Sequence, residues 1–441
     1  MSDLQPSSKA EPEEWAAFAA IDWADQKHFW RLVPAGCEQK EHGQLDNTPE
    51  AVEAWASGLQ GRFGGRPVAV CLEQSRGALV YMLAKYEHLV LFPVPPAMSA
   101  AYRKTFRSSG AKDDPNDTAL LLDLLLQHRE RLRQLRPDTV ETRLLQFLVE
   151  ERRKMVNEKT RQHNRLIDCL KLYFPQVLPW FDDLAGELAG AFLQQWPSLQ
   201  EAKRAHPGTL NRFFHEHNCR SEERIAERIH AIQEDMPATS DVAVLEACSM
   251  TTRGLVALLA TLRRNIAVYE KRIEELVAAH PDGALFASLP GAGAALVPRL
   301  ITAFGTQRDR FDNAYQVQCY SGIAPVTEAS GKSHWVHFRW SCPKFFRQTF
   351  QEYASQSIRQ CEWARDYYQL QRDRHKSHHA AVRALAYKWI RIIFRCWKDG
   401  KPYDEQMYLS SVRRRTAVLG TALAAATGYG WKDVAGFKKF C

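Results

Sequence analysis

The stretch AKDDPNDT, residues 111–118, places two carboxylates where they could share a cation. Asp113 can cap a helix and Pro115 is tolerated in its first turn, so Asp114 and Asp117 are predicted to lie on that turn. Side chains three residues apart face the same side of a helix, and like charges that close repel unless a cation or a proton lies between them. The pair therefore indicates a site for a hard metal ion. The alternative is an acidic first turn that only complements the helix dipole.

Two further acids, Asp22 and Glu73, each end an apolar stretch that we predict to be a strand. Neighbouring parallel strands end side by side, so the two acids and the pair Asp114 and Asp117 are expected to converge above one sheet edge. Magnesium prefers oxygen ligands, and two such ions about 4 Å apart stabilise the attacking and leaving oxygens of a phosphodiester. We therefore predict a magnesium site for phosphodiester chemistry. A solvated loop residue is the alternative for each strand-end acid, and the neighbouring Asp25 is not predicted to be a ligand.

The first part of the chain reads as a mixed α/β unit. The predicted elements, in order, are strands 15–23 and 28–33 as a hairpin, a helix from Thr48, a buried strand 67–73, a helix 77–86, a strand 89–94 and the helix with the acidic pair.

Two long stretches, 138–174 and 242–279, carry large aliphatic residues at helical spacing. They predict an antiparallel coiled-coil hairpin or a seam between protomers, and core packing alone is the alternative. The intervening segment, 176–241, is interrupted by prolines and is interpreted as an inserted helical subdomain. Its HEHNC motif, residues 215–219, has metal-like spacing but lacks a fourth ligand, which disfavours a zinc site.

A glycine-rich turn lies in SLPGAGAALVPRLITAFG, residues 288–305. Such a turn lets backbone amides approach a phosphate, and it resembles the helix-hairpin-helix motif that binds nucleic-acid backbones. No Gly-Lys-Ser/Thr follows, so it is not a nucleotide P-loop. A tight turn between helices is the alternative.

The composition is typical of a soluble protein with reduced thiols. The 441 residues suffice for two or three domains, and 45% hydrophobic with 25% charged residues is ordinary for a globular chain. The net charge of +8, with basic residues concentrated in the later two-thirds, favours a polyanionic partner. Ten scattered cysteines without CxxC, and no signal peptide, predict a cytoplasmic protein. The most apolar stretch, 417–431, is shorter than a membrane span of about 20 residues.

Three motifs, IDWADQKH, CLEQSRG and AKDDPNDTALL, resemble the acidic motifs of the insertion-sequence 110 family of DEDD transposases. The resemblance implies an α/β RNase H fold of the RuvC-like type. By position, the family's catalytic, magnesium-binding acids fall on Asp22, Glu73, Asp114 and Asp117. Asp113 stands where the family usually has a threonine.

A second resemblance, to the family's C-terminal transposase domain, rests on the PGxG turn, an RF pair and GIAPVTEASGK. The family's nucleophilic serine falls on Ser330. From composition alone, Ser330 to Ser333 is a flexible polar loop, and a serine needs a base, a metal or a cation to activate it. The candidates for that role are Lys332, His334, His337 and Arg339. The following SCPKF stretch departs from the family's Lys-Arg-Gly-like pattern, which affects the expected DNA contacts more than the serine.

The closing segment is basic and rich in aromatic residues. This clustering suits phosphate contacts and base stacking, and a solvated helix face is the alternative. The predicted nucleic-acid-binding residues are Lys332, Arg339, Lys344, Arg347, Arg372, Arg374, Lys376, Arg383, Lys388, Arg391 and Arg395.

The resemblance also implies how the chain is divided. The expected regions are a RuvC-like domain at 14–135, a helical coiled-coil region with the inserted subdomain at 136–280, a mainly α C-terminal domain with the helix-hairpin-helix-like turn and the serine at 281–405, and an extension at 406–441.

The implied function is a DNA transposase that excises and inserts a mobile element. The implied partners are donor and target DNA, a structured non-coding bridge RNA, and further copies of the chain, as a dimer or tetramer through the coiled coils. Mg²⁺ at the acids and attack by Ser330 would give a phosphoserine–DNA link that conserves the energy of the broken bond. One alternative is a metal-dependent RuvC-like endonuclease or junction resolvase without a covalent intermediate. Another is a nucleic-acid-binding remnant that no longer holds metal.

Overall fold

The computed structural model describes residues 14–106, 114–331, 333–411 and 414. The chain divides into two compact units, Met1–Pro137 and Asp138–Cys441. The elements of the first unit, in order, are β1 (Ala17–Asp22), β2 (Lys27–Pro34), β3 (Glu41–Asp46), α1 (Pro49–Phe63), β4 (Val68–Leu72), α2 (Ala78–Leu83), β5 (Leu89–Pro93), α3 (Pro96–Phe106) and α4 (Asp114–His128).

The five strands form one mixed sheet in the order β3-β2-β1-β4-β5. The pairs β1/β2 and β2/β3 are antiparallel, whereas β1/β4 and β4/β5 are parallel. All five residues of β4 are buried, as its continuous apolar sequence predicts. The mixed α/β class of the first unit is therefore confirmed, and β1 and β4 are the parallel neighbours that the strand-end acids require.

Helices cover both faces of this sheet, because successive residues of its central strands are apolar on each side. On one face, Ala19, Ile21 and Val70 share a core with α1 and α2. On the opposite face, Ala20 and Cys71 share a core with α4. The leucines of α4 that enter this second core are Leu121, Leu122, Leu124 and Leu125. The leucine run thus buries one side of α4 against the sheet, as its sequence predicts.

Two elements of this unit are missing from the sequence-based prediction. The strand β3 is at the sheet edge, and only Leu45 of its residues is buried, so no apolar alternation marks it. Among the described side chains of α3, the buried one is the polar Ser99. The helix therefore shows no apolar stripe. Neither element has the buried apolar face by which strands and helices are recognised in a sequence.

The second unit is mainly helical. Its elements, in order, are α5 (Val140–Tyr173), α6 (Glu187–Gln195), α7 (Leu199–Arg204), α8 (Pro207–Glu216), α9 (Glu222–Glu234), α10 (Val242–Ala279), α11 (Gly283–Ala287), α12 (Val297–Phe304), α13 (Ala314–Tyr320), β6 (Val326–Ser330), β7 (Ser333–His337), α14 (Lys344–Gln360), α15 (Glu362–Asp373) and α16 (His378–Asp399).

The long helices α5 and α10 pack along each other in antiparallel orientation. Contacts across the pair show this directly: Thr142 near the start of α5 bonds His280 just after α10, and Arg152 pairs with Glu270. Both starts are capped, by Thr139 and by Asp241, whose side chains accept backbone amide hydrogens. The predicted pair of long antiparallel helices is therefore present.

Two cores flank this helix pair. One joins the second half of α5 and the first half of α10 to α6–α9, the segment predicted to be a helical insertion. The other joins the opposite ends of α5 and α10 to α11–α16. Trp389 and Trp397 of α16 are fully buried in it, and their indole nitrogens donate to Ser357 Oγ and to the carbonyl of Gly305.

Among the described helices, α10 is the one with the length and hydropathy of a membrane span. This is weak support for a span, because core helices of soluble proteins share these properties, and Leu255, Leu259 and Ile273 of α10 are buried in the two helical cores. The stretch 417–431, which the sequence marks as apolar, lies outside the described residues.

Candidate active site

The strand ends of β1 and β4 bring two of the predicted acids to the same sheet edge. Ile21 is aligned with Leu72 in the parallel ladder, so Asp22 and Glu73 follow at adjacent strand ends. Alternation along the strands places both on the side of Ala20 and Cys71, which is the face that α4 covers. Burial, and then the charge of Glu73, raises the pKa of the Cys71 thiol to about 12, in agreement with this placement.

The first turn of α4 carries the other two predicted acids. The helix begins at Asp114, whose side chain lies outside the described part of the structure. Asp117 is buried, with 5% of its surface exposed, and its Oδ2 lies 2.8 Å from a guanidinium nitrogen of Arg103. The guanidinium of Arg103 thus pairs with the buried carboxylate of Asp117.

The helix α3 supplies a layer of polar partners that the sequence did not reveal. Ser99 Oγ donates to Oε1 of Glu73 at 2.5 Å, Arg103 pairs with Asp117, and the Tyr102 hydroxyl donates to Asp123 of α4. These contacts orient carboxylates from β4 and α4. The only sequence signal for α3 was its Pro-Pro start, since proline is favoured in a first helical turn.

Carboxylate oxygens at this edge are the donors that magnesium prefers, and a serine and an arginine hold two of them in place. Among the described side chains, which do not include that of Asp114, no group of three or more His, Cys, Asp or Glu is arranged to hold a metal. The convergence of all four acids therefore stays a prediction.

The HEHNC motif shows no metal-site geometry among the described residues. His215 faces Glu222 at 3.3 Å, and His217 Nδ1 lies 2.9 Å from the carbonyl oxygen of Phe213. Cys219 contacts the guanidinium of Arg228. The three candidate ligands thus have separate partners.

Ser330 ends the exposed strand β6, and Ser333, its partner in the hairpin, begins β7. The predicted polar loop from Ser330 to Ser333 is the turn of a regular antiparallel hairpin of β6 and β7, with these two serines as its last paired residues. Its turn contains Gly331 at φ +55°, a left-handed conformation that favours glycine. The sequence missed the hairpin because nearly all its residues are exposed, so no buried face sets a pattern.

The candidates for activating Ser330 lie at different points of the hairpin. His334 is opposite Ala329, whereas His337 at the base of the hairpin lies 2.9 Å from Glu328 Oε1. Arg339 is further along and donates to the carbonyls of Ala324 and Pro325. Lys332 is outside the described residues. His334 is the nearest of the three along the ladder, but it pairs with Ala329, so strand alternation directs its side chain to the hairpin face opposite to that of Ser330.

The structure explains why one position of the glycine-rich turn before α12 is a glycine. Gly291 has φ +80°, and a Cβ there would lie 3.1 Å from the Gln356 backbone and 3.2 Å from the amide nitrogen of Ser357 in α14. Gly293 is exposed, and a Cβ there would meet nothing within 4 Å. The turn therefore packs on α14 through Gly291, while Gly293 leaves the backbone accessible.

Replacing Gly291 by alanine is expected to destabilise the second unit by about 1–3 kcal/mol, because it forces a left-handed backbone and a close contact on α14. Gly293→Ala is the matched control and should leave stability nearly unchanged. Urea unfolding followed by circular dichroism measures both. Equal stability of the two variants would contradict the packing role of Gly291.

The predicted basic residues divide into two groups. Several are engaged within their own helices or turns: Arg395 pairs with Asp399, Arg372 donates to the carbonyl of Lys376, and Lys376 donates to Gln371. Lys388 lies over the rings of Trp363 and Tyr367. Exposed residues of the set include Lys344 and Arg391. Arg374 is also exposed and has an interaction partner.

A second group gathers at the base of the hairpin. The guanidinium carbons of Arg347 and Arg383 each lie 4.6 Å from the ring centre of Phe338. Arg347 also donates to the carbonyl of Arg339 at 3.2 Å. The fold thus brings together arginines from α14, α16 and the hairpin base that are far apart in sequence.

Two family models match the sequence. One, for DEDD transposases of the insertion sequence IS110, is described as "Transposase" and matches residues 19–175, the range that contains the four acids. The other is described as "Transposase IS116/IS110/IS902 family" and matches residues 283–369, the range that contains Ser330.

Relatives match over most of the chain. The sequence is 25% identical over 399 residues to the protein assigned as the mini-circle transposase for IS117 of Streptomyces coelicolor, covering 88% of this chain and 95% of the relative. It is 25% identical over 399 residues to the uncharacterized 43.6 kDa protein of insertion element IS110 from the same organism, covering 90% and 97%. It is 22% identical over 400 residues to the uncharacterized 42 kDa protein of insertion element IS900 of Mycobacterium paratuberculosis, covering 88% and 96%.

Proposed function

The chain belongs to the IS110 family of transposases, and from that premise we propose that it excises and inserts a mobile DNA element by a covalent, magnesium-dependent mechanism. It is a DNA transposase, an enzyme of phosphodiester transfer. The proposed details are a RuvC-like RNase H domain with Mg²⁺ at its acids, a serine nucleophile and RNA guidance.

The observation that carries the proposal is the arrangement of the strand-end acids. Asp22 and Glu73 end adjacent parallel strands, on the face covered by α4, and the first turn of α4 carries the buried Asp117. Asp22, Glu73, Asp114 and Asp117 are the residues that would hold Mg²⁺. When bound, the metal would supply positive charge for the phosphodiester oxygens in the transition state.

The proposed nucleophile, Ser330, is exposed at the end of a narrow hairpin, where a DNA strand can approach it. Its hydroxyl oxygen would attack the phosphorus, the P–O bond to the deoxyribose would break, and the departing oxygen would take up a proton. The phosphoserine link retains one phosphodiester, so a second deoxyribose hydroxyl can displace the serine and rejoin the strand. Lys332, His334, His337 and Arg339 stay the candidates for the base or cation that activates the serine.

The proposed partners follow from charge. Donor and target DNA and a bridge RNA are polyanions, and the net charge of +8 with the exposed Lys344 and Arg391 is suited to them. Sequencing the nucleic acid that co-purifies with the protein tests RNA guidance: one structured RNA species supports it, and its consistent absence from active preparations contradicts it.

We propose that oligomers form through the coiled-coil region, with α10 at the seam. One face of α10 is exposed and carries small or apolar residues at alternating spacings of four and three: Ala243, Ala247, Met250, Gly254, Ala257 and Thr261. This heptad spacing is the pattern that packs one helix against another. Exposed Leu258 and Val268 extend the same apolar surface.

The double variant Met250→Glu/Leu258→Glu is expected to dissociate the oligomer, because it places carboxylates in that seam. Light scattering after size exclusion should give the monomer mass for this variant and a multiple of it for the wild type. Glu274→Lys, at an exposed position of α10, is the control and should remain oligomeric. A monomeric wild type, or an unchanged double variant, would contradict the seam.

A metal-dependent endonuclease that hydrolyses DNA is the second candidate, because the strand-end acids alone would suffice for it. The two functions leave different products from a plasmid that carries the mobile element. A transposase leaves a rejoined plasmid and a circularised element, whereas a hydrolytic nuclease leaves cut ends only. Sequencing across the joints therefore decides between them.

A further inference from the structure

Phe338 follows directly after β7, where the hairpin joins the helical core. Its ring lies 4.6 Å from the guanidinium carbons of both Arg347 in α14 and Arg383 in α16. Trp340, which is 76% exposed, packs edge-on against the same ring at 4.9 Å between ring centres. We call Phe338, Trp340, Arg347 and Arg383 the Phe338 cluster.

The positive charge of the Phe338 cluster is not balanced within the described part of the chain. No carboxylate there pairs with Arg347 or Arg383, and the neighbouring Arg339 donates to the backbone carbonyls of Ala324 and Pro325. Burial, and then the charge of Arg347, lowers the pKa of Arg383. The Nε–H of Arg383 is buried, and no acceptor among the described residues bonds it.

Packing against the Phe338 ring does not explain why two arginines, Arg347 and Arg383, contact it. A single guanidinium over an aromatic ring gains about 0.5–2 kcal/mol, and a second one adds repulsion between two like charges. The two guanidinium carbons are no further apart than twice their 4.6 Å distance to the ring centre. An anion that binds both guanidinium groups would relieve this repulsion, and phosphate oxygens match the planar donors of arginine. All four members of the cluster keep some exposed surface, so an anion can reach it.

The position of the cluster on the hairpin relates it to Ser330. His337 is aligned with Val326, and Phe338 is the next residue, so the cluster lies at the base of the hairpin and Ser330 at its far end. The four residue steps from Val326 to Ser330 span about 13 Å at ~3.3 Å per residue. This length corresponds to about four base-pair steps of duplex DNA at ~3.4 Å each.

We propose that Arg347 and Arg383 form a seat for one backbone phosphate of duplex DNA, a few nucleotides from the phosphate that Ser330 attacks. The identity of the partner as DNA rests on the proposed function. In this seat, both guanidinium groups donate to the phosphate, and Trp340 packs beside the adjoining sugar. Because the seat and Ser330 share one hairpin, the bound phosphate fixes the register of the DNA strand relative to the serine.

The test compares the salt dependence of duplex DNA binding by the full chain and its variants, using fluorescence anisotropy. Arg347→Gln/Arg383→Gln is expected to make the slope of log affinity against log salt shallower by about 1, the contribution of one phosphate. Arg359→Gln, at an exposed position of α14, is the matched control and should leave the slope unchanged. Arg347→Lys/Arg383→Lys keeps both charges and should retain the wild-type slope.

A second measurement locates the phosphate. Duplexes with one neutral methylphosphonate at successive positions are compared for wild type and Arg347→Gln/Arg383→Gln. At one position or two adjacent positions, the neutral linkage should weaken binding by the wild type and not by the double variant. If a methylphosphonate at every position weakened DNA binding equally in both proteins, the proposed phosphate site would be contradicted.

Phe338→Leu separates phosphate binding from anchoring of the hairpin, and circular dichroism confirms that each variant is folded. If the arginines only hold Phe338, then Phe338→Leu and the double glutamine variant should change binding equally, with an unchanged salt slope, and the inference is wrong. These measurements record DNA binding and do not require a DNA strand to be cut. The phosphate-binding proposal can therefore be contradicted while the proposed recombination mechanism stands, and the mechanism can be contradicted while phosphate binding stands.

Discussion

Replacing Glu73 by glutamine is expected to abolish DNA strand cleavage while leaving DNA binding intact. Glutamine keeps the size of the side chain, and Ser99 Oγ can still donate to its amide oxygen, so the strand end should retain its structure. The lost charge removes a proposed magnesium ligand. Loss of even an outer partner of a metal ligand commonly costs 10- to 100-fold, so cleavage should fall by more than about a hundredfold. Gel analysis of cut DNA over a series of Mg²⁺ concentrations measures the effect.

Asp25→Asn is the matched control for Glu73→Gln. Asp25 is exposed in the turn between β1 and β2, close in sequence to Asp22 and outside the proposed ligand set. Its replacement should leave cleavage and its dependence on Mg²⁺ unchanged. Wild-type cleavage by Glu73→Gln, or equal losses in both variants, would contradict the assignment of Glu73 as a ligand.

Replacing Ser330 by alanine is expected to eliminate recombination without changing stability. The side chain is exposed, and exposed substitutions usually change stability by no more than about 0.5 kcal/mol. Loss of a covalent nucleophile slows enzymes by roughly 10⁴-fold or more, so rejoined products should disappear. Amplification across the new DNA joints in cells that carry the element measures recombination.

Ser333→Ala is the control for Ser330→Ala, because Ser333 is the partner of Ser330 in the hairpin and is also exposed. It should recombine at the wild-type rate. Joints formed at that rate by Ser330→Ala would show that the hydroxyl of Ser330 is not the nucleophile. If rejoined DNA were lost in Ser333→Ala alone, Ser333 would be the nucleophile.

The parts of the fold that the sequence predicts are those with a buried apolar face. The central strands β1 and β4, the leucine-rich α4 and the long helices α5 and α10 all bury aliphatic residues, and their periodicity reveals them. The acids Asp22 and Glu73 are identifiable for the same reason, since each ends such an apolar strand. Their adjacency follows once β1 and β4 are parallel neighbours.

The parts that the sequence does not reveal are exposed or depend on distant contacts. The edge strand β3, the helix α3 and the hairpin of β6 and β7 have little buried apolar surface, so no periodicity marks them. The Phe338 cluster joins a loop residue to arginines of α14 and α16. Sequence alone marks Arg347 and Arg383 as basic, and only the tertiary fold shows that they share one aromatic ring.

The central claim is that DNA becomes covalently attached to Ser330 in a reaction that needs the acidic edge. The direct measurement is capture of the adduct on a nicked suicide substrate with Mg²⁺ and the co-purifying RNA, followed by protease digestion and mass spectrometry. We expect a nucleotide on the peptide that contains Ser330 in the wild type, and no adduct with Ser330→Ala or Glu73→Gln. Cleaved DNA without any adduct, or an adduct on another residue, would contradict the claim.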